Sequence, residues 1–454
     1  MLVLLFKNFI RSKGTKIGLL FLVFIGLISL LIGRQFQQKQ QQNIVEATVY
    51  QKEHIARNAA FHKDEIGLLL YYVKFSLVNT TLPINSLAIG QRDVNPSIQS
   101  VTIRGLEAQK YDSELNNPSN LLSGNIDFSF VLLYLFPLLI IAFSYNIISE
   151  EKESGTWKIV ASQSTNTFFY ILKLFYVRIL SLTTLLTLLL FVAVLFLQIP
   201  LDKSFFVFYI LSVLYILFWF AVCFFIVSLQ KNSNFNAVIL LTIWLFLIVI
   251  LPAGINTYII NKYKVPEALE LTLTQRNAYH EKWDMDKQKT LDKFYKHYPQ
   301  FKKYALPDKE FSWLWYYAMQ QMGDDESALQ SKELEAKLQQ RNHASEWIGL
   351  FIPTLHTQIQ LNEIAKSDLQ NQLLFLKETS KFHEKLRLHF YPKIFDNAPV
   401  NNQKWESFKV ETFKDNSETS FIKTLLPLLV FNLLLIAFGW RNFNRKTFFL
   451  TATR

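Results

Sequence analysis

A single cysteine, Cys223, occurs in the chain, and it lies inside an apolar run. An intrachain disulfide is therefore impossible, and thiolate metal sites of the multi-Cys kind are excluded. Phosphate-cradling glycines are missing too. No G-x-x-x-x-G-K-[ST] stretch is present, and "RSKGTK", Arg11 to Lys16, shares letters with that motif but lacks its spacing. The chain carries no ATP motor of its own. No G-x-S-x-G step orders a nucleophile, and none of the eight histidines forms H-x-x-x-H or an acid-flanked pair that would put two ligands on one helix turn. The chain reads as a non-enzyme with no resident cofactor and no metal site.

Charge is missing where its absence says most. Six long runs, 17–32, 128–148, 179–197, 205–229, 235–255 and 424–440, contain no Asp, Glu, Lys, Arg or His, and each approaches the roughly 20 residues needed to cross hydrocarbon. Half the residues are hydrophobic, with 41 Phe, 19 Tyr and 9 Trp gathered into these blocks. The expected fold is an all-α polytopic membrane protein with six transmembrane helices. Spans free of ionisable groups also disfavour proton relays and ion pathways. Asn146, Ser181, Thr183, Thr184, Thr187, Asn236 and Asn432 are the polar residues left within or beside spans, and residues of this kind more often join helices than bind cargo.

Basic residues orient the spans, because Lys and Arg are retained on the cytoplasmic side. With the N-terminus inside, the inner segments hold thirteen basic residues, among them Lys7, Arg11, Lys152, Lys158, Arg178, Lys231 and Arg441, against Glu150, Glu151 and Glu153. Nearly all of the net charge of +11 then sits on one face. Both termini are expected in the cytoplasm, and the basic balance reports topology and not nucleic-acid binding. In residues 1–16, Leu2, Leu5, Phe6 and Phe9 share one side while Lys7, Arg11 and Lys13 fall toward the other, the pattern of a helix lying in the interface.

Two large segments, 33–127 and 256–423, are left outside, with 149–178 as an inner loop and 441–454 as an inner tail. Both outer segments read as mainly helical. Leu369, Leu373 and Leu376, then Phe382, Leu386 and Phe390, recur at helical steps, as internal packing would require. "FSWLWYYAMQQM", Phe311 to Met322, suits either a membrane interface or a core. The run Gln35 to Gln42 has no required chemistry and reads as a solvated helical extension of the first span, with a loop as the alternative.

"SEEKESGTWKIV", Ser149 to Val160, crowds carboxylates between two apolar runs. Acids at a helix start favour the positive end of its dipole, and Gly155 lets the backbone turn or approach a partner. An ordinary solvated loop would look similar. The hexapeptide "EKESGT", Glu151 to Thr156, resembles the Glu-Arg-Glu-x-Gly-Thr pattern after the second span of ABC-2 type transporter permeases, with Lys152 in place of the arginine. The resemblance extends through 124–156, 236–256 and 348–392, toward a subgroup with a large extracytoplasmic insertion of unknown function and, distantly, the copper-maturation permease for nitrous oxide reductase. It implies a coupling helix in which Glu151, Glu153, Gly155 and Thr156, with Glu150 alongside, contact a separate cytoplasmic ABC ATPase that binds ATP and Mg. It further implies two ATPase copies, a second permease chain, identical or paralogous, and residence in the bacterial inner membrane. The chain would then export an unidentified substrate, or else act as an ATP-driven mechanical transducer on a periplasmic partner.

Overall fold

The computed structural model describes residues 2–110, 125–163, 166–264, 282–283, 285–307 and 311–445. Most of the expected tail, 446–454, lies outside the described residues, as do parts of the two long insertions. Six helices are long and apolar enough to cross a membrane: Lys13–Phe61, Phe128–Glu153, Thr167–Leu197, Lys203–Ser228, Ser233–Lys262 and Phe421–Asn444. The chain is a mainly helical, multi-pass membrane protein. We refer to these helices as the first to the sixth span.

The spans are unequally buried. In its most apolar stretch 72% of the fourth span is buried, against 11% of the fifth and 17% of the sixth, so the fourth is the centre of the bundle and the last two are its rim. Trp219 and Tyr215 of the fourth span are fully enclosed. The second and fifth spans each contain a π-helical turn, Val131–Leu135 and Phe246–Ile250, and Pro137 and Pro252 follow. Proline has no N–H for the carbonyl four residues earlier, and in a bilayer that carbonyl needs another donor. Tyr215 supplies one to Leu133 O at 3.0 Å, and Trp244 Nε1 donates to the adjacent Tyr134 O at 3.2 Å. Thr354 Oγ1 donates to Leu247 O at 2.7 Å in the fifth span.

The first span continues without a break to Phe61, so the glutamine run is helical, but it is not solvated throughout, since Gln37 and Gln40 are buried. Gln40 Oε1 accepts from Ser97 at 2.7 Å, while Gln51 accepts from Ser76 N at 2.7 Å and donates to Phe408 O at 3.0 Å. These amides stitch the long helix to a small sheet of order β2-β1-β3. Strand β1 (Phe75–Asn79) pairs antiparallel with β2 (Ile98–Val101) and parallel with β3 (Glu411–Phe413). Gly33 passes against Ser86, whose carbonyl would lie 2.3 Å from any Cβ there, so only glycine allows that approach.

A second core joins this sheet to the helices Lys287–His297, Trp313–Gly349 and Leu369–Phe395. Leu314 to Met319 are buried in it, and Tyr317 donates to Gly67 O at 2.8 Å. The aromatic stretch is therefore core. Phe382, Leu386 and Phe390 point into the same core, whereas Leu373 is buried outside it and Leu369 and Leu376 are only half-buried. At its centre Arg387 donates to Asp324 Oδ2 at 2.7 Å, to Arg104 O at 2.8 Å, to Ile103 O at 3.2 Å and to Gln321. One guanidinium thus ties both insertions together. Burial opposes its charge, but Tyr391 and Asp324 hold its pKa above the ordinary arginine value.

Arg387→Met would leave Asp324 uncompensated, and loss of one partner of a buried pair costs about 3–5 kcal/mol. The expected outcome is early melting and protease sensitivity of the helical domain, with the spans still inserted. Neighbouring His383 donates from Nε2 to Arg104 O at 2.9 Å, and burial followed by Arg387 hold its pKa well below 6.5. A histidine kept neutral in the fold but free to protonate when unfolded contributes stability above about pH 6.5 that is lost as pH falls. Melting His383→Gln against the parent from pH 8 to 5 should show the pH slope flatten in the variant.

Candidate functional site

The Ser149–Val160 segment leaves the second span through Tyr145–Ile148 and forms two short helices, Ser149–Glu153 and Trp157–Gln163. Sequence alone presents one amphipathic element here; the structure breaks it in two at Gly155. The reason is local. Gly155 has φ of +77°, a conformation in which Cβ collides with the backbone and which glycine alone adopts freely. Thr156 fixes the turn by donating back to the Glu151 carboxylate, and its hydroxyl also lies 2.8 Å from Ser154 Oγ.

The carboxylates have distinct partners. Glu150 accepts from the Asn146 amide at the end of the second span. Glu153 reaches across to the fifth span, where its Oε1 accepts from Ser233 N at 2.7 Å and its Oε2 from Ser233 Oγ at 2.9 Å. The first N–H groups of a helix have no partner within it, so Glu153 caps the fifth span from another segment. Ser149 Oγ stands 2.8 Å from the same hydroxyl. Lys152 donates to Gln230 Oε1 at 3.2 Å in the turn between the fourth and fifth spans, and Asn236 Nδ2 donates to Tyr145 O at 3.0 Å. Glu150, Glu153, Gly155 and Thr156 are all exposed, and Glu151 is half-buried.

Five residues singled out by sequence therefore sit on one surface, and the structure adds Ser233, Gln230 and Asn236 from the fifth-span side. Asn232–Ser233 ahead of an apolar run is a readable helix start, and the Asn232 side chain does accept from Phe235 N. Pairing with Glu153 is not readable, because the two residues stand 80 apart in sequence. Arg178, counted from sequence only as a topology charge, also has a structural role. It donates to Phe143 O at 2.6 Å and lies 5.2 Å from the Phe9 ring, holding the Leu2–Arg11 helix against the second and third spans.

The far end of the fifth span is equally tied. Arg341, in the Trp313–Gly349 helix, donates to Tyr263 O at 2.7 Å and Ile260 O at 3.4 Å. A cleft of about 510 Å³ opens on the helical domain between Phe382 and strand β3, with Lys381 and Lys385 bonded to Glu378 and Glu411 at its wall. No group of three or more His, Cys, Asp or Glu able to hold a metal occurs among the described residues.

These features define a multi-pass helical membrane protein with a polar junction at one end of the bundle and a helical domain at the other. A family model described as a domain of unknown function (DUF3526) matches residues 269–413, a range that includes Arg341, Arg387 and β3. No curated protein and no solved structure matches the chain. The matched part shares its sheet with β1, which lies outside it.

Because Gly155 has open space around its Cα, replacement tests backbone conformation alone. Gly155→Asn, which tolerates a left-handed backbone, should leave the turn intact. Gly155→Val should cost about 1–2 kcal/mol locally and raise the rate of tryptic cleavage at Lys158 in the detergent-solubilised protein.

Proposed function

We propose that this chain is the membrane subunit of an ABC-2 type transporter, with the Ser149–Val160 junction in the cytoplasm as the surface on which a separate nucleotide-binding subunit acts. The observation that carries the reading is the pair of hydrogen bonds that Glu153 accepts from Ser233 N and Oγ. An exposed acidic turn bonded to the start of a spanning helix converts a push on the turn into movement of that helix. The fifth span suits this role, since apolar packing holds it weakly while hydrogen bonds hold it at both ends. Glu150, Glu151, Gly155 and Thr156 shape the turn, and ATP with Mg belongs to the partner. A pair of such chains, identical or paralogous, with two ATPase copies in the bacterial inner membrane completes the assembly, and the Leu2–Arg11 helix lies along the cytoplasmic interface. The cargo, an unidentified substrate, is exported or moved out of the inner leaflet.

A second reading has its own support. Arg341 and Thr354 bind the fifth span to the helical domain, so the same movement would reshape that domain. In a mechanical transducer this reshaping, directed at a periplasmic partner, is the output and nothing crosses the bilayer.

Charge and capping can be separated at Glu153. Glu153→Gln keeps an acceptor for Ser233 N, whereas Glu153→Lys loses it and reverses the charge. In complexes purified with their ATPase from the native membrane, the Gln variant should retain nucleotide-dependent distance changes between spin labels on the fifth span and the helical domain. The Lys variant should hydrolyse ATP without them. Equal distance changes in both variants would remove this junction from the pathway.

A further inference from the structure

The Trp313–Gly349 helix ends in an uncharged stretch, Trp347 to Leu355, and the next helix, Pro353–Ile364, runs back. Both limbs meet one cation. Lys423, at the start of the sixth span, lies 3.0 Å from Glu346 and 3.4 Å from Glu363. Everything between those two glutamates is a hairpin hung from the level of Lys423, and its tip is bonded to the middle of the fifth span by the hydrogen bond from Thr354 to Leu247 O. His356 Nε2 lies 2.9 Å from Thr424 O, and Gln360 accepts from Thr424 Oγ1 at 2.6 Å, placing the returning limb beside the first turn of the sixth span. At about 1.5 Å per residue, Thr354 lies roughly 13 Å along the helix from Glu363. Leu361, Ile364 and Ala365 of that limb are buried in the same core as the spans.

The turn itself is built for a dry medium. Irregular backbone at membrane depth must satisfy its own polar groups. Leu350, Phe351 and Ile352 donate their N–H groups to Glu346, Ile348 and Gly349 carbonyls at 3.1, 3.1 and 2.9 Å, and position 353 is a proline with none to satisfy. Yet Trp347 and Phe351 turn outward, 67% and 69% exposed. Two large rings this bare, on a hairpin bonded to both the fifth and the sixth spans, need an apolar surrounding.

We propose that this hairpin is a wedge inserted into the leaflet next to the helical domain, with Trp347 and Phe351 in contact with lipid acyl chains. Its partner is the bilayer itself. The inference rests on the multi-pass architecture and is independent of any ATPase. Cys223 is fully buried, so it stays unlabelled while Phe351→Cys and, separately, Trp347→Cys accept a spin label in the full-length protein. In phosphatidylethanolamine/phosphatidylglycerol vesicles, power saturation compares collisions with oxygen, which concentrates in lipid, and with a water-soluble nickel chelate. The expected oxygen-to-nickel ratio at both positions is several-fold above that of a label at Thr48, exposed on the long helix beyond the bundle, and level with one at Leu433 on the sixth span. A ratio equal to that at Thr48 would put the hairpin in water and overturn the proposal. Dipolar broadening between labels on two chains would overturn it differently, by showing a second copy in the place of lipid. Each variant is decisive alone, so failure of one to insert leaves the test standing.

Discussion

A carbonyl with no donor is intolerable in hydrocarbon, and the bundle is organised around the few places where its helices create one. Pro137 and Pro252 each follow a π-helical turn; Tyr215 donates to the acceptor that Pro137 frees, Leu133 O, while Trp244 and Thr354 donate to carbonyls of the two π-helical turns themselves, Tyr134 O in the second span and Leu247 O in the fifth. Each such bond ties together elements distant in sequence. The second, fourth and fifth spans and the returning hairpin are thereby fixed in register, which non-directional apolar contact alone would not do.

Burial follows from the same arrangement. The fourth span is enclosed because its neighbours are fastened around it, and the fifth remains at the rim with polar attachments at its two ends and at its middle. The junction at Glu153 and the contact at Arg341 are the two ends of one rod, and this links an acidic turn at one end of the bundle to a domain at the other.

Much of the architecture was legible in the sequence because an uninterrupted apolar run of spanning length has few alternative fates. The helical extension through Gln35–Gln42 and the packing stripe at Leu373, Phe382, Leu386 and Phe390 were legible for a related reason, since both depend on local periodicity. The sheet was not. Strand β3 has three residues, and its partner lies more than 300 residues earlier, so no local pattern announces it. Nor was the hairpin at Trp347–Leu355, whose apolar stretch is too short to register as a span. At the junction, the crowd of acids and Gly155 stood out, but the break into two helices depends on a backbone angle, and the role of Glu153 depends on a serine 80 residues away.

The closing of the small sheet sets a timetable for biogenesis. Gln51 reaches Phe408 across 357 residues of chain, and β1 obtains its parallel neighbour only when 411–413 has been made. On the ribosome, the early insertion must therefore wait, with one strand edge bare, until five spans have been threaded. Any truncation before Glu411 leaves that edge available to aggregation partners or proteases, which gives cellular quality control a direct means of recognising an unfinished chain.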